Sequence, residues 1–263
     1  MLAVGIDIGT TNLVAVAFDT QHRRLAAVAS ARNTADVTPK EHRAEGWSEL
    51  DLEQVFETTE ALLSSLSETL GQRREEVRTI GVTGQMHGAA FVNAFNCPLR
   101  PATTWQDQRA RDLIEEMIAG AGGEKAFERT GCLPSTGYLG ATAYWLARHE
   151  ALPSSATLCT IPDAVAAWLA NAPTHSGYSL AASTGLFDVR SKEWDGEIIG
   201  ALGLTRLQLA PAIEDGTPLG RLRPEIADRL HLPSDVTVCA AIGDHQASLI
   251  GSECVAPECV HVN

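Results

Sequence analysis

Basic charge is what this chain has least of: across 263 residues, 20 Lys and Arg stand against 33 Asp and Glu, a formal net charge of −13. That balance excludes nucleic acid and anionic membrane as expected partners, since both attract proteins through clustered cations. The acidic residues are spread along the length, with no tail or arm of one sign. Long hydrophobic runs are missing too: no stretch reaches the ~18 apolar residues that suggest a spanning helix. Met1–Gly9 meets Asp7 before any signal-peptide core could form and has no cationic lead. The six cysteines, at 97, 132, 159, 239, 254 and 259, are scattered, which predicts no disulfide framework. Cys254, Cys259 and His261 resemble half a metal site, but zinc ligands usually come in tight pairs, so ordinary thiols are expected. These absences predict a cytoplasmic protein, and 44% hydrophobic residues is ordinary for one that folds.

What is present alternates between strand and helix patterns. Leu2–Ile8 is a buried strand by its apolar, β-branched content, Gly9–Asn12 a turn, Leu13–Phe18 a second strand and Leu25–Ser30 a third. This hairpin opening argues against a dinucleotide unit, in which a helix follows the first glycine turn. Behind Asp51, apolar residues at 52, 55, 56, 59, 62, 63 and 66 recur at helical spacing until Gly71. Further strands are expected at Val77–Thr83, Ala89–Phe95 and Val236–Ile242. Helices are expected over Gln108–Ile118, Tyr138–Arg148, Ile161–Leu169, Glu193–Leu202 and His245–Ile250. Cys259–Asn263 has the pattern of one more strand. No internal repeat or low-complexity segment occurs. The sum is an α/β domain with its polar motifs at strand ends, where open α/β sheets place ligands.

Four such motifs could carry chemistry. In Asp7-Ile8-Gly9-Thr10-Thr11-Asn12, Gly9 permits close backbone approach and the following amides and hydroxyls can donate to phosphate oxygens. Asp7 beside that cradle suits a hydrated Mg²⁺ bridging phosphates; a capped hairpin turn is the plainer reading. A Walker-type P-loop is absent. In Gly84-Gln85-Met86-His87-Gly88, Gln85 and His87 can hydrogen-bond a polyol while Met86 packs on its carbon face; alternatively, His87 is a satisfied turn histidine. In Thr103-Thr104-Trp105-Gln106-Asp107-Gln108-Arg109, Trp105 can lie against a sugar or anchor the core, and Asp107 can line a pocket or cap a helix. Trp145 and Trp168 belong to apolar helix stripes. In Gly243-Asp244-His245-Gln246, Asp244 stands at a strand end and helix start, placed either as a catalytic base or as a plain N-cap. Two strand-end aspartates far apart in sequence, Asp7 and Asp244, suggest a duplicated fold closing on a cleft.

In this order, VGIDIGTTNLVAVAFD, GVTGQMHGAAF, TTWQDQR and GDHQ resemble the FGGY carbohydrate kinases, relatives of hexokinase and actin. The resemblance implies an actin-like/ribonuclease H-like ATPase domain: the first lobe with the start of the second, divided as 1–238 and 239–263. Asp7 would then help hold the Mg²⁺ of ATP, with Gly9, Thr10, Thr11 and Asn12 at the phosphates. Gln85, Met86, His87, Trp105, Gln106 and Asp107 would shape the sugar pocket. Asp244 would be the general base for phosphorylation of a ketose or polyol at its terminal hydroxyl. Asp163 in TIPDAVAAWLA matches a recurrent aspartate and is expected to support structure. TTWQDQR, and Ala181-Ala182-Ser183-Thr184-Gly185 in place of Asp-Ala-Ser-Gly-Thr, lean the substrate toward sedoheptulose, with xylulose next, then other pentuloses or glycerol. Without a nucleotide lobe, residues 1–263 are expected to be inactive alone. The alternatives are a non-catalytic sugar-binding or regulatory fragment and, more remotely, a chaperone-like or filament ATPase. Homodimers are common among such kinases, though these residues give no sign of one.

Overall fold

The structure is a computed structural model that describes residues 1–149, 155–205 and 207–252. It begins with an antiparallel meander: β1 (Leu2–Ile8), β2 (Asn12–Asp19) and β3 (Arg24–Arg32). In β1 the period of two buries Leu2, Val4, Ile6 and Ile8 on one face and leaves Gly5 and Asp7 on the other. The chain then leaves the sheet through helix α1 (Leu52–Leu70), which starts where the Asp51 carboxylate accepts the N–H groups of Glu53 and Gln54. Its apolar stripe, with Val55, Phe56, Leu62, Leu63 and Leu66, packs on the Leu2–Ile8 face of the sheet.

Strand β4 (Val77–Gly84) returns parallel to β1, bringing Ile8 level with Gly84. Later strands join the same sheet: β5 (Pro218–Arg221), β6 (Thr237–Cys239) and β7 (Ile242–Gly243). The order is β5-β6-β4-β1-β2-β3, and β7 extends the pairing along β4 beyond β6. Since β1, β4, β6 and β7 are parallel, their carboxyl ends share one edge. The division expected after residue 238 falls inside β6, because β6 and β7 both hydrogen-bond to β4 and continue the first lobe's sheet.

A second apolar cluster, including Phe91, Met117, Phe127, Leu139, Tyr144, Leu158 and Leu186, forms beside the first. Helix α2 (Leu139–His149) contributes to it, whereas α3 (Ile161–Ala170) packs in the sheet's core. The short helix α4 (Tyr178–Ala182) and the final helix α5 (Asp244–Gly251) lie at the edge where the parallel strands end.

Four expected elements differ. The helix foreseen over Gln108–Ile118 is instead a turn, a 3-10 segment at Arg111–Leu113 and a short helix at Ile114–Gly120. The Gln108 and Ala110 carbonyls accept the N–H groups of Arg111 and Leu113, three positions on, so the segment winds as 3-10 turns before the short helix begins. Within Glu193–Leu202, Glu193–Trp194 pairs with Phe187–Asp188, and a helix forms only over Gly196–Ala201 behind the Asp195 cap. The strand Ala89–Phe95 shrinks to Ala90–Val92 because the Asn93 side chain binds the N–H groups of Phe95 and Cys97 and turns the chain. Val236–Ile242 divides into β6 and β7 where Ala240 N–H leaves for the Thr217 carbonyl. The expected strand Cys259–Asn263 and the half-site Cys254, Cys259 and His261 lie outside the described residues.

Candidate active site

Three of the four motifs converge because three parallel strands end together. Ile8 of β1 is level with Gly84 of β4, which is level with Gly243 of β7. Gln85 and Asp244 therefore follow one row across the sheet edge, and Asp7 stands one residue before it, level with Thr83. Gly84 is required there: a Cβ would sit 2.6 Å from the Ile8 carbonyl oxygen.

The turn after β1 is closed by Gly9 N–H donating to the Asn12 carbonyl at 3.1 Å, and Asn33 braces it by donating from Nδ2 to the Gly9 carbonyl at 3.0 Å. Thr11 and Asn12 stay exposed at its tip. Asp7 faces solvent on one side. Partial burial, and then the negative charge of Asp244, push its carboxyl above the usual range. Two aspartates that feel each other in this way suit a divalent cation with oxygen ligands. Among the described residues no cluster of three or more His, Cys, Asp or Glu could hold a metal, so such an ion would take its remaining ligands from phosphate and water.

On the other side of the row, His87 holds a left-handed backbone (φ 74°). Ser183 fixes it: the His87 N–H donates to Ser183 Oγ at 3.1 Å, and Nδ1 lies 2.8 Å from the Ser183 carbonyl. A carbonyl oxygen only accepts, so Nδ1 carries the proton and neutral Nε2 keeps an acceptor lone pair. The ring stacks on Tyr138 at 4.2 Å. Burial pushes the imidazole pKa down, opposed by the Ser183 bond and by the Asp244 charge. Gln85 is buried at 3% exposure, with neither amide atom bonded within the protein. A buried amide without partners is costly, and a ligand supplying them is one explanation. Met86 is buried, with its sulfur beside Gly243.

Trp105 reaches from its own loop to the turn after β1, its Nε1–H donating to Thr10 Oγ1 at 2.9 Å, and the residue is 47% exposed. Gln106 is exposed next to it. Asp107 is not brought into this group. Its Oδ1 accepts from Arg109 N and Nε, and its Oδ2 from Ser48 N and an Arg109 guanidinium nitrogen at 2.8 Å. Arg109 also binds Glu49 and stacks 3.9 Å from the Trp47 ring centroid. Asp107 thus holds the Trp105 loop to the residue 48–49 segment. Trp145 and Trp168 pack at the margins of the two apolar clusters.

Asp244 is the first residue of α5, half-buried, with Oδ1 accepting the His245 N–H at 2.7 Å. Sequence reasoning missed Asn33, Ser179, Ser183 and Asp215. The one available hint was that Ser179 and Ser183 stand four apart, on one helical face.

A parallel strand triplet that presents a phosphate-type hairpin turn on one side and an aspartate-headed helix on the other is the frame of an actin-like kinase lobe. Comparison with known proteins narrows this: the FGGY family of carbohydrate kinases, N-terminal domain, matches residues 2–251, and the chain belongs to that family. It is 28% identical over 252 residues to a xylulose kinase of Klebsiella pneumoniae, covering 94% of this chain and 49% of that protein. It is 27% identical over 263 residues to a glycerol kinase of Marinomonas sp. (strain MWYL1), covering 97% and 51%. The crystal structure of xylulose kinase from Rhodospirillum rubrum superposes with a TM-score of 0.85 at 26% identity, over 98% of this chain and 52% of that one. The chain thus spans about half the length of these relatives. These matches to xylulose and glycerol kinases correct the leaning toward sedoheptulokinases drawn from TTWQDQR. Within TTWQDQR the Asp107 carboxylate accepts from Arg109 and Ser48, so that part of the motif is held by internal contacts.

Proposed function

We propose that this chain is the sugar-binding and base-bearing half of an ATP-dependent kinase that phosphorylates a xylulose-like ketose at its terminal hydroxyl. The observation that carries it is the gathering of Asp7, Gln85 and Asp244 at the carboxyl ends of three parallel strands, where Asp7 feels the Asp244 charge and His87 stands beside them. Gln85 offers its unbonded amide and His87 its Nε2 lone pair to sugar hydroxyls, while Met86 fills the floor and Trp105 covers the phosphate side. Asp244 takes the proton from the terminal hydroxyl as its oxygen bonds to the γ-phosphorus of ATP, while the bond from that phosphorus to the bridging oxygen breaks and ADP leaves. Gly9, Thr10, Thr11 and Asn12 face the phosphates. Asp7 holds the Mg²⁺, which when bound neutralises charge on the transferred phosphoryl group. Because the chain spans about half the length of these relatives, it is expected to bind sugar without turning it over.

Calorimetric titration with D-xylulose, D-ribulose and glycerol, without nucleotide, tests the reading. Saturable, selective binding of D-xylulose is expected, and a folded chain that binds none of the three would overturn it. The similarity to glycerol kinases makes glycerol the second reading, and preference for it over both ketoses would establish that instead. H87A is expected to weaken ketose binding about tenfold, the value of one hydrogen bond of about 1.4 kcal/mol. Because burial holds the His87 pKa below 6.5, wild-type affinity should persist at pH 6.5 and fall only as the pH drops through that lower value, when Nε2 is protonated. An H87A chain with undiminished affinity would remove His87 from the pocket.

A further inference from the structure

We propose that Ser179 and Asp215 are positioning residues for Asp244, a role that rests on the kinase reading above and deepens it. Helix α5 begins at Asp244, and its N-cap, Gly243, has no side chain with which to satisfy the first turn. The start of the helix is held from outside instead. Gly243 N–H donates to Ser179 Oγ at 2.9 Å, and Ser179 Oγ lies 3.0 Å from Asp215 Oδ1. An ionised carboxylate only accepts, so the Ser179 hydroxyl gives its proton to Asp215 and turns a lone pair toward Gly243. The same carboxylate accepts Ser179 N–H at 3.2 and 3.3 Å, which fixes the backbone of α4 as well as the hydroxyl.

The backbone around this relay leaves no slack. A Cβ on Gly177 would collide with the Ala241 carbonyl oxygen and with Asp215, so the strand before α4 lies directly against the approach to β7. One turn further on, at the C-cap of α4, Ser183 holds His87 through two hydrogen bonds. Residues four apart share one helical face. The five-residue helix thus ties the base at one end to the sugar-side histidine at the other and sets the distance between them. Neither Ser179 nor Asp215 needs to touch substrate to do this. Their effect on transfer comes through the direction of the Asp244 carboxylate, and a misplacement of about 1 Å costs on the order of 100-fold in rate.

The test compares S179A, D215A and D215N, each alone and combined with D244N, in the full protein. Phosphoryl-transfer kcat and KM, ketose Kd by calorimetry and thermal melting are measured for each. S179A and D215A are expected to lower kcat about 10–100-fold while Kd stays within about threefold. D215N, whose amide oxygen still accepts the Ser179 hydroxyl, should recover most of the rate. In the D244N background none of the three should slow the residual reaction further, because a residue that acts only through Asp244 has nothing left to position. If D244N lowers transfer by about 10²-fold or more but S179A and D215A keep kcat within about twofold, or add their full effect to that of D244N, the relay is refuted and the base stands. If D244N transfers at the wild-type rate, the base assignment fails and the relay fails with it.

Discussion

In an active full-length form, Asp244→Asn should lower kcat for transfer by about 10²–10⁴-fold, the usual contribution of a general base, while ketose binding stays within about threefold of wild type. The substitution is nearly isosteric, and its amide oxygen can still accept the His245 N–H that Asp244 holds at 2.7 Å, so the start of α5 is preserved. What it removes is the negative charge and the basic lone pair. A second consequence is independent of turnover. Asp244 is one of the two causes that raise the Asp7 pKa, the other and larger being burial, so the D244N carboxyl neighbour should titrate at lower pH. Carboxyl ¹³C NMR of Asp7 in both chains measures this without nucleotide or second substrate. Wild-type turnover by D244N would dismiss Asp244 as the base, and an unmoved Asp7 titration would show that the two carboxylates do not share a site.

Much of this site could be read from residues because its parts are local. Asp7 lies near the end of a short apolar strand, Gly9 and Gln85 follow such strands into turns, and Asp244 follows one into a helix; such boundaries are written in neighbouring residues. That the strands are parallel and in register, and so bring the motifs together, depends on pairing over long separations: β1 with β4, and β4 with β7. The same limit explains the misplaced residue. Asp107 sits in a segment rich in candidate sugar contacts, yet Ser48 and Glu49, some 60 positions earlier, combine with Arg109 to draw it inward. A buried, bidentate carboxylate–guanidinium pair needs all its partners, and no local pattern announces them. Ser179 and Ser183 were passed over for the complementary reason: small hydroxyls in an alanine-rich stretch have ordinary helical roles until Gly243 and His87 arrive from elsewhere.

The support for α4 itself comes from Asp163, and its removal should have the largest effect on stability. Asp163 is fully buried, with Oδ2 accepting from Thr160 N, Thr160 Oγ1 and Ser176 Oγ, and Oδ1 from Gly177 N–H at 3.1 Å. Asp163→Ala strands the Thr160 and Gly177 N–H groups in the interior at about 1–3 kcal/mol each. A total loss of about 3–5 kcal/mol is expected, a fall in Tm of roughly 6–20 °C at the ~2–4 °C per kcal/mol of a chain this size. D163N removes the charge while its amide can still serve Gly177 and the two hydroxyls, at the loss of the Thr160 N–H acceptor. Burial raises the Asp163 pKa from 3.8 to about 6, against the lowering effect of its four donors. The folded state therefore binds that proton more tightly than the unfolded state. The resulting stability, about 3 kcal/mol at 1.36 kcal/mol per pH unit, is fully present below about pH 4 and lost as pH rises through about 6. The difference in Tm between wild type and D163N, followed by thermal melts from pH 4 to 7.5, should shift against wild type over that window, because only wild type titrates there. A pH-independent difference would mean that Asp163 keeps an ordinary carboxyl pKa despite its burial. An unchanged Tm in D163A would mean that Ser176 and Gly177 hold α4 in place unaided.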